Sequence, residues 1–243
     1  MSVLRSVLTY AFWGAMVPFA ALIGFPWTFL TGKIDFLYRF GCWIAITGVR
    51  IAGIHPEVIG RNKLDPQGTY IFMSNHVSNL DPPMLIPLIP RRTSVLAKKE
   101  LFNIPILGRG FLMGSFVPVD RNNREAAKAS LKTAAKVLQS GVNLTIFPEG
   151  TRSPDGRLLP FKKGPFFLAK DAQVPVVPIT ILNTERLWPK GSPWLRSGSA
   201  IVVFHAPLNP ADYANRHALT EAIRQHISSA LPPECRTTDD PSV

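Results

Sequence analysis

No charged residue occurs between Arg5 and Lys33. The stretch from Val7 to Leu30 is apolar almost throughout and carries Phe12, Trp13, Phe19, Phe25, Trp27 and Phe29. About 20 apolar residues suffice for a helix to cross a bilayer core, so length permits a span. Pro18 and Pro26 complicate it, because each removes a backbone donor and is expected to kink a helix. A second apolar run, Phe40 to Val49, follows Lys33, Asp35 and Arg39 and is too short to cross alone. Two readings stay open: one kinked span, or a helical hairpin dipping into a single leaflet with Trp and Arg at the interface. A cleaved signal peptide fits worse, since the segment before the apolar stretch holds one Arg and no clear A-x-A site follows. Both open readings put the chain on a membrane.

The 243 residues fit one large domain plus a small appendage and can bury a core without disulfides or a structural metal. Charged residues make up 18% of the chain, below the roughly one quarter usual for soluble domains. The net charge of +11 favours an anionic partner, with nucleic acid, an anionic bilayer and an acidic carrier protein all qualifying. No nucleic-acid motif accompanies the charge, so nucleic acid is not expected. The two cysteines, Cys42 and Cys235, form no CxxC pair; Cys42 sits in an apolar run and reads as packing.

From about Pro56 onward, short β-branched or aromatic runs alternate with helical patterns. Strands are expected at Thr69 to Ser74, Ser94 to Ala97, Phe116 to Val119, Asn143 to Phe147, Val174 to Leu182 and Ala200 to His205. Helices are expected at Pro83 to Ile89, Glu100 to Met113 with a break at Pro105, Phe166 to Lys170 and Leu219 to Leu231. Arg124 to Ser140 is the clearest helix: Ala127, Leu131, Ala134, Ala135 and Leu138 recur at helical spacing, and Gly141 stops it. Such alternation predicts an α/β fold, a mixed sheet covered by helices, with the apolar amino terminus as a membrane-anchoring helical segment. The expected division is residues 1–52 for that segment, 53–231 for the α/β domain and 232–243 for a polar, disordered tail.

The segment Ser74-Asn75-His76-Val77-Ser78-Asn79-Leu80-Asp81 follows a predicted strand, where α/β folds place their sites. His suits proton removal at neutral pH, and a carboxylate behind the ring would fix its tautomer. Five residues of regular helix turn through about 500°, so His76 and Asp81 can meet only across an irregular turn. Pro82 favours such a turn. The alternative roles are a helix cap for Asp81 and a structural histidine for His76. No third ligand lies near in sequence, so a metal site is not expected.

The run Phe147-Pro148-Glu149-Gly150-Thr151-Arg152-Ser153 also follows a strand. Pro148 and Gly150 preset a tight loop that could present Thr151, Arg152 and backbone amides to a phosphate. Lys162 and Lys163 come next, and Gly164 opens a helix whose amino end attracts anions. Glu149 is expected to hold Arg152 or a backbone amide in place.

Together these segments resemble the glycerolipid acyltransferase family, which includes bacterial 1-acyl-sn-glycerol-3-phosphate acyltransferases. Four blocks stand in the family's order: Asn75-His76 to Asp81; Gly114 to Arg121; Phe147 to Ser153, matching at every position; and the apolar, proline-bearing Val174 to Ile179. In the second block Pro118 interrupts the apolar run. The resemblance covers about Val58 to Ile181. It implies His76 as general base, Asp81 as its orienting partner, and Arg121, with Glu149, Gly150, Thr151 and Arg152, as holding the glycerol phosphate; Asn75 of the first block and, from the loop reading, Lys162 and Gly164 are further substrate-binding candidates. It implies direct attack of a lysophospholipid hydroxyl on the thioester of acyl-CoA or acyl carrier protein, with no acyl-enzyme, metal or prosthetic group. Location at the inner membrane with the catalytic domain facing the cytoplasm follows from where soluble acyl thioesters are found. Lys98, Lys99, Arg91, Arg92, Arg109 and Arg124 flank the second block in sequence and read as one basic cluster for carrier protein, coenzyme A or anionic lipid.

Overall fold

The computed structural model describes residues 2–236. The two apolar runs are α1 (Ser2–Thr31) and α2 (Asp35–Ile51). At 1.5 Å per residue, α1 is about 45 Å long. Pro18 and Pro26 lie inside α1 without interrupting it; each only deprives the carbonyl four residues earlier of its donor. Gly32, at φ +67°, turns the chain, and α2 folds back to form a helical hairpin. The helices approach closely where side chains are absent: a Cβ on Gly24 would lie 2.5 Å from Leu37 Cδ1, and one on Gly48 would enter the Trp13 indole. Trp13 Nε1 donates to the Ile44 carbonyl at 3.2 Å across the same seam. The outward face stays apolar, with Phe29 87%, Leu30 81% and Leu22 73% exposed. A contiguous exposed apolar surface of this kind marks contact with protein or membrane. Among the described residues, α1 is the one helix long and apolar enough to cross a membrane.

The chain then enters a seven-stranded mixed sheet. Its elements are β1 (Ile54–Ile59), β2 (Ile71–Ser74), α3 (Asp81–Leu85), β3 (Thr93–Lys98), α4 (Leu107–Met113), β4 (Val117–Val119), α5 (Arg124–Gln139), β5 (Asn143–Ile146), α6 (Gly164–Ala172), β6 (Val176–Leu182), α7 (Thr184–Leu187), β7 (Gly198–Phe204) and α8 (Arg216–Ser229). The strand order is β1-β7-β6-β2-β5-β3-β4, and the single antiparallel pairing is β6 with β7. The expected helical run from Glu100 is broken as Pro105 requires: a 3-10 turn spans Lys99–Asn103 and α4 begins at Leu107.

Alternation along the buried strands divides the core in two. Phe72, Val177, Ile179 and Ile181 face the side covered by α2 and α3. Ile71, Met73, Leu144, Ile146 and Val176 face Ala134 and Leu138 of α5, Phe166 of α6 and Ile223 and Ile227 of α8. Each such large apolar side chain contributes about 1.5–3 kcal/mol on burial, and strands β2 and β5, buried on both faces, become the fixed rails behind the site. Helix α5 starts where Asn123 Oδ1 accepts from the amides of Glu125 and Ala126, and Gly141 at φ +77° follows its end.

The expectation of a disordered tail from residue 232 needs correction. Pro233–Cys235 form a 3-10 turn, and Leu158 N donates to the Cys235 carbonyl at 3.0 Å. The remainder of that tail, 237–243, lies outside the described residues.

Candidate active site

Strand β2 ends at Ser74, and the following loop wraps around one carboxylate. Asp81 is fully buried, and its Oδ2 accepts from the amides of Val77 and Ser78, both at 2.8 Å. Its Oδ1 accepts from Thr184 Oγ1 at 2.6 Å. His76 Nδ1 lies 2.7 Å from Oδ2. The carboxylate acts as acceptor toward every other partner, so Nδ1 carries the hydrogen between them and Nε2 presents its lone pair. Nε2 makes no hydrogen bond among the described residues. The helix-cap alternative for Asp81 is excluded by direction: its Oδ2 points back to residues 76–78, its Oδ1 meets Thr184, and no side chain caps α3.

The loop after β5 supplies the other wall. Phe147 stacks on the His76 ring with centroids 4.2 Å apart. Glu149 Oε1 accepts from His76 N at 2.7 Å, and Oε2 from Leu159 N at 3.1 Å. Ser153 N donates to the His76 carbonyl at 2.8 Å. The two motif loops are thus stitched together through the backbone of the histidine itself. Burial pushes the Glu149 carboxyl up to about 8, against the lowering effect of its two amide donors. Of its two expected tasks, the structure gives Glu149 the clamping of backbone amides; Arg152 is not its partner.

Gly150 sits at φ +73°, and a Cβ there would lie 3.3 Å from Lys162 Cγ. The turn therefore needs glycine for both its backbone and its neighbour. Lys162 is tied in by its amide, which donates to the Pro148 carbonyl at 2.8 Å, and its side chain is exposed. Thr151 is exposed and Arg152 half-buried. Arg121 lies between β4 and α5. Partial desolvation of its guanidinium, and then the positive charge of Arg152, lower its pKa, while Glu100 offsets part of this. Arg121 follows β4 and Arg152 follows β5, and among the described residues neither forms an ion pair.

Two expected substrate contacts serve other ends. The Asn75 side chain is 1% exposed; its Oδ1 accepts from Ile181 N at 2.8 Å and its Nδ2 donates to the Ile181 carbonyl at 2.9 Å. Asn75 fixes the β2 end to β6. Gly164 lets α6 approach α5, since a Cβ there would meet Leu131 Cδ1 at 2.8 Å. The basic cluster divides: Arg91 and Arg92 enter β3 while Lys98 and Lys99 leave it, about 20 Å away at 3.3 Å per residue. Thr184 and Trp188, whose carbonyl accepts from Ser78 Oγ at 2.9 Å, have no signal in the local sequence. Among the described residues, no three His, Cys, Asp or Glu side chains group as metal ligands.

Residues 55–182 match the family model described as Acyltransferase. The chain is 34% identical over 208 residues to a 1-acyl-sn-glycerol-3-phosphate acyltransferase of Limnanthes alba, covering 85% of this chain and 71% of that protein. It is 30% identical over 181 residues to the mouse 1-acyl-sn-glycerol-3-phosphate acyltransferase alpha, covering 74% of this chain and 64% of that protein. The fold superimposes with a TM-score of 0.82 on the crystal structure of the 1-acyl-sn-glycerophosphate acyltransferase of Thermotoga maritima, at 25% identity over 94% of this chain and 93% of that one.

Proposed function

The chain belongs to the acyltransferase family, and on that premise we propose that it transfers a fatty acyl group from a thioester to the sn-2 hydroxyl of lysophosphatidate, giving phosphatidate. His76 Nε2 accepts the hydroxyl proton as the oxygen attacks the thioester carbonyl. The tetrahedral adduct then expels the thiolate, and the imidazolium returns the proton to sulfur. Asp81 stabilises that imidazolium and holds its tautomer. The thioester is already activated, so alignment and proton removal are the main tasks. The donor is acyl-CoA or acyl carrier protein, a co-substrate rather than a resident cofactor.

The observation that carries this reading is the 2.7 Å bond from His76 Nδ1 to a carboxylate that three further donors immobilise. The acceptor assignment is supported by Arg152, next to the Ser153 amide that bonds the His76 carbonyl, and by Arg121, whose guanidinium feels the charge of Arg152; a planar guanidinium fork suits a phosphate monoester. The names of the relatives point the same way. The apolar hairpin supports attachment to a membrane; placement at the inner membrane with the catalytic domain facing the cytoplasm rests on where soluble acyl thioesters are found.

The test is an assay of thiol release from acyl-CoA with lysophosphatidate and a panel of other lysolipids. His76→Ala should lose turnover by about 10³-fold or more, in keeping with removal of a general base, while folding and vesicle binding persist. Turnover at the wild-type rate would remove His76 from the chemistry.

A further inference from the structure

Two cavities have no residue of the His76 or 147–153 loops in their walls. One, about 640 Å³, lies between α2 and the segments entering β3 and β5, with Asp35, Arg39, Arg91 and Arg92 in its walls. The other, about 620 Å³, is a trough between α1 and α2 lined by Phe19, Ile23, Phe36 and Phe40. Asp35 and Arg39 border both, so the apolar trough and the basic chamber share a wall.

The charges of that chamber are largely uncommitted. Arg91 is fixed by neutral acceptors: Nη1 donates to the carbonyls of Gln67 at 2.6 Å and Gly68 at 3.1 Å, and Nη2 to that of Gly141 at 3.0 Å. Neither Arg39 nor Arg92 makes a side-chain hydrogen bond or ion pair among the described residues, and Asp35, the one carboxylate in the walls, forms no ion pair. Arg39 is exposed and Arg92 half-buried. Three guanidiniums thus face one carboxylate at the edge of an apolar helical hairpin.

We propose that this is a second lipid site, which holds an anionic phospholipid of the bilayer with one acyl chain along Phe19, Ile23, Phe36 and Phe40 and its phosphate on Arg39 and Arg92. The phosphate matches the planar donor forks. The chain gains by each methylene removed from water, which a free phosphate would not. The location separates it from the acceptor: Arg92 precedes β3 and Ser140 to Val142 precede β5, whereas His76 and Phe147 follow β2 and β5. The inference rests on the hairpin's contact with lipid and not on acyl transfer, so it can fail while the reaction stands.

The test is native mass spectrometry of the full chain, released from micelles containing equal phosphatidylglycerol and phosphatidylcholine of the same chain length. The wild type should retain one phosphatidylglycerol in preference. Arg39→Gln with Arg92→Gln should lower that retention by about tenfold, whereas Lys128→Gln, on the far side of the sheet, should not. Among the described residues neither arginine has a side-chain partner, so the double variant should keep the wild-type melting temperature; were it to unfold, Arg39→Gln alone should still lower retention about threefold. Equal retention of both lipids by the wild type, or undiminished phosphatidylglycerol on the arginine variants, would overturn the site. Complete displacement of the lipid by glycerol 3-phosphate would overturn the part assigned to the trough.

Discussion

Thr184 offers the sharpest test of how the carboxylate is held. Its Oγ1 donates to Asp81 Oδ1 at 2.6 Å, and both residues are fully buried. Thr184→Val keeps the volume and removes the donor, leaving one carboxylate oxygen in the interior unpaired. A hydrogen bond to a charged group contributes about 1.5–3 kcal/mol, so stability should fall by about 2 kcal/mol. At about 2–4 °C per kcal/mol for a chain of this size, the melting temperature should drop by about 4–8 °C. Function should change as well. With one donor gone, the carboxylate carries more negative charge toward His76 and favours the imidazolium. The acidic limb of kcat/KM against pH should therefore move to higher pH. Looser aim of the ring should lower kcat, by about tenfold if 1.4 kcal/mol of orientation is lost. Thr184→Ser restores the donor and should restore the pH profile. The assays are thiol release across pH and thermal unfolding in detergent. A melting loss with kcat and the acidic limb unmoved would mean that Thr184 only fills space, and the reasoning would be refuted.

Arg152→Ala should raise KM for phosphate-bearing acceptors by about 10- to 100-fold, the equivalent of one charge-assisted pair, with kcat little changed; an equal effect on acceptors without phosphate would contradict the assignment. Glu149 has a linkage signature. Its folded-state value, about 8, exceeds its ordinary 4.5, so its contribution is fully present below about pH 4.5 and is lost as pH rises through about 8. Wild-type stability relative to Glu149→Gln should thus decline across that window, by up to about 1.4 kcal/mol per pH unit, and a flat difference in thermal unfolding would contradict it. Gly48→Ala drives a methyl into the Trp13 ring and should cost about 1–3 kcal/mol as overpacking, read as a lower melting temperature; an unchanged one would show that the helices can part there freely.

The two motif loops were legible because each is contiguous in the sequence. His76 and Asp81 lie in one loop, residues 147–153 in another, and each follows an apolar run that reads as a buried strand. What the local sequence hid is what meets across the chain. Ile181 on Asn75, Thr184 on Asp81 and Trp188 on Ser78 are separated by 106, 103 and 110 residues, and no spacing rule links such pairs. Asn75 read as a substrate contact because its neighbour is the base, yet its amide is taken up by β6. Strand β1 escaped notice for a different reason: Pro56 sits inside it and most of its side chains face outward, as befits an edge. The basic residues flanking β3 read as one cluster because sequence distance is short, while an extended strand converts six residues into about 20 Å.

The apolar hairpin and the His76 loop are not independent parts. Ser78 Oγ, next to His76 and Val77, donates to the Trp188 carbonyl at 2.9 Å. The Trp188 ring stacks on Trp13 of α1 with centroids 6.3 Å apart and lies 6.2 Å from Tyr10. Leu195 N donates to Ser6 Oγ at 2.9 Å, and Tyr10 Oη donates to the Pro193 carbonyl at 2.6 Å. The first turns of α1 therefore hold the segment 188–195, and that segment holds the loop that carries His76. The rest of α1 diverges from this contact toward its exposed apolar tip at Phe29 and Leu30. Removing α1 would take away the apolar surface and also one wall behind Trp188, so loss of activity on such a deletion would not by itself measure loss of lipid contact. Substitutions confined to the tip, beyond the reach of Trp188, separate the two effects.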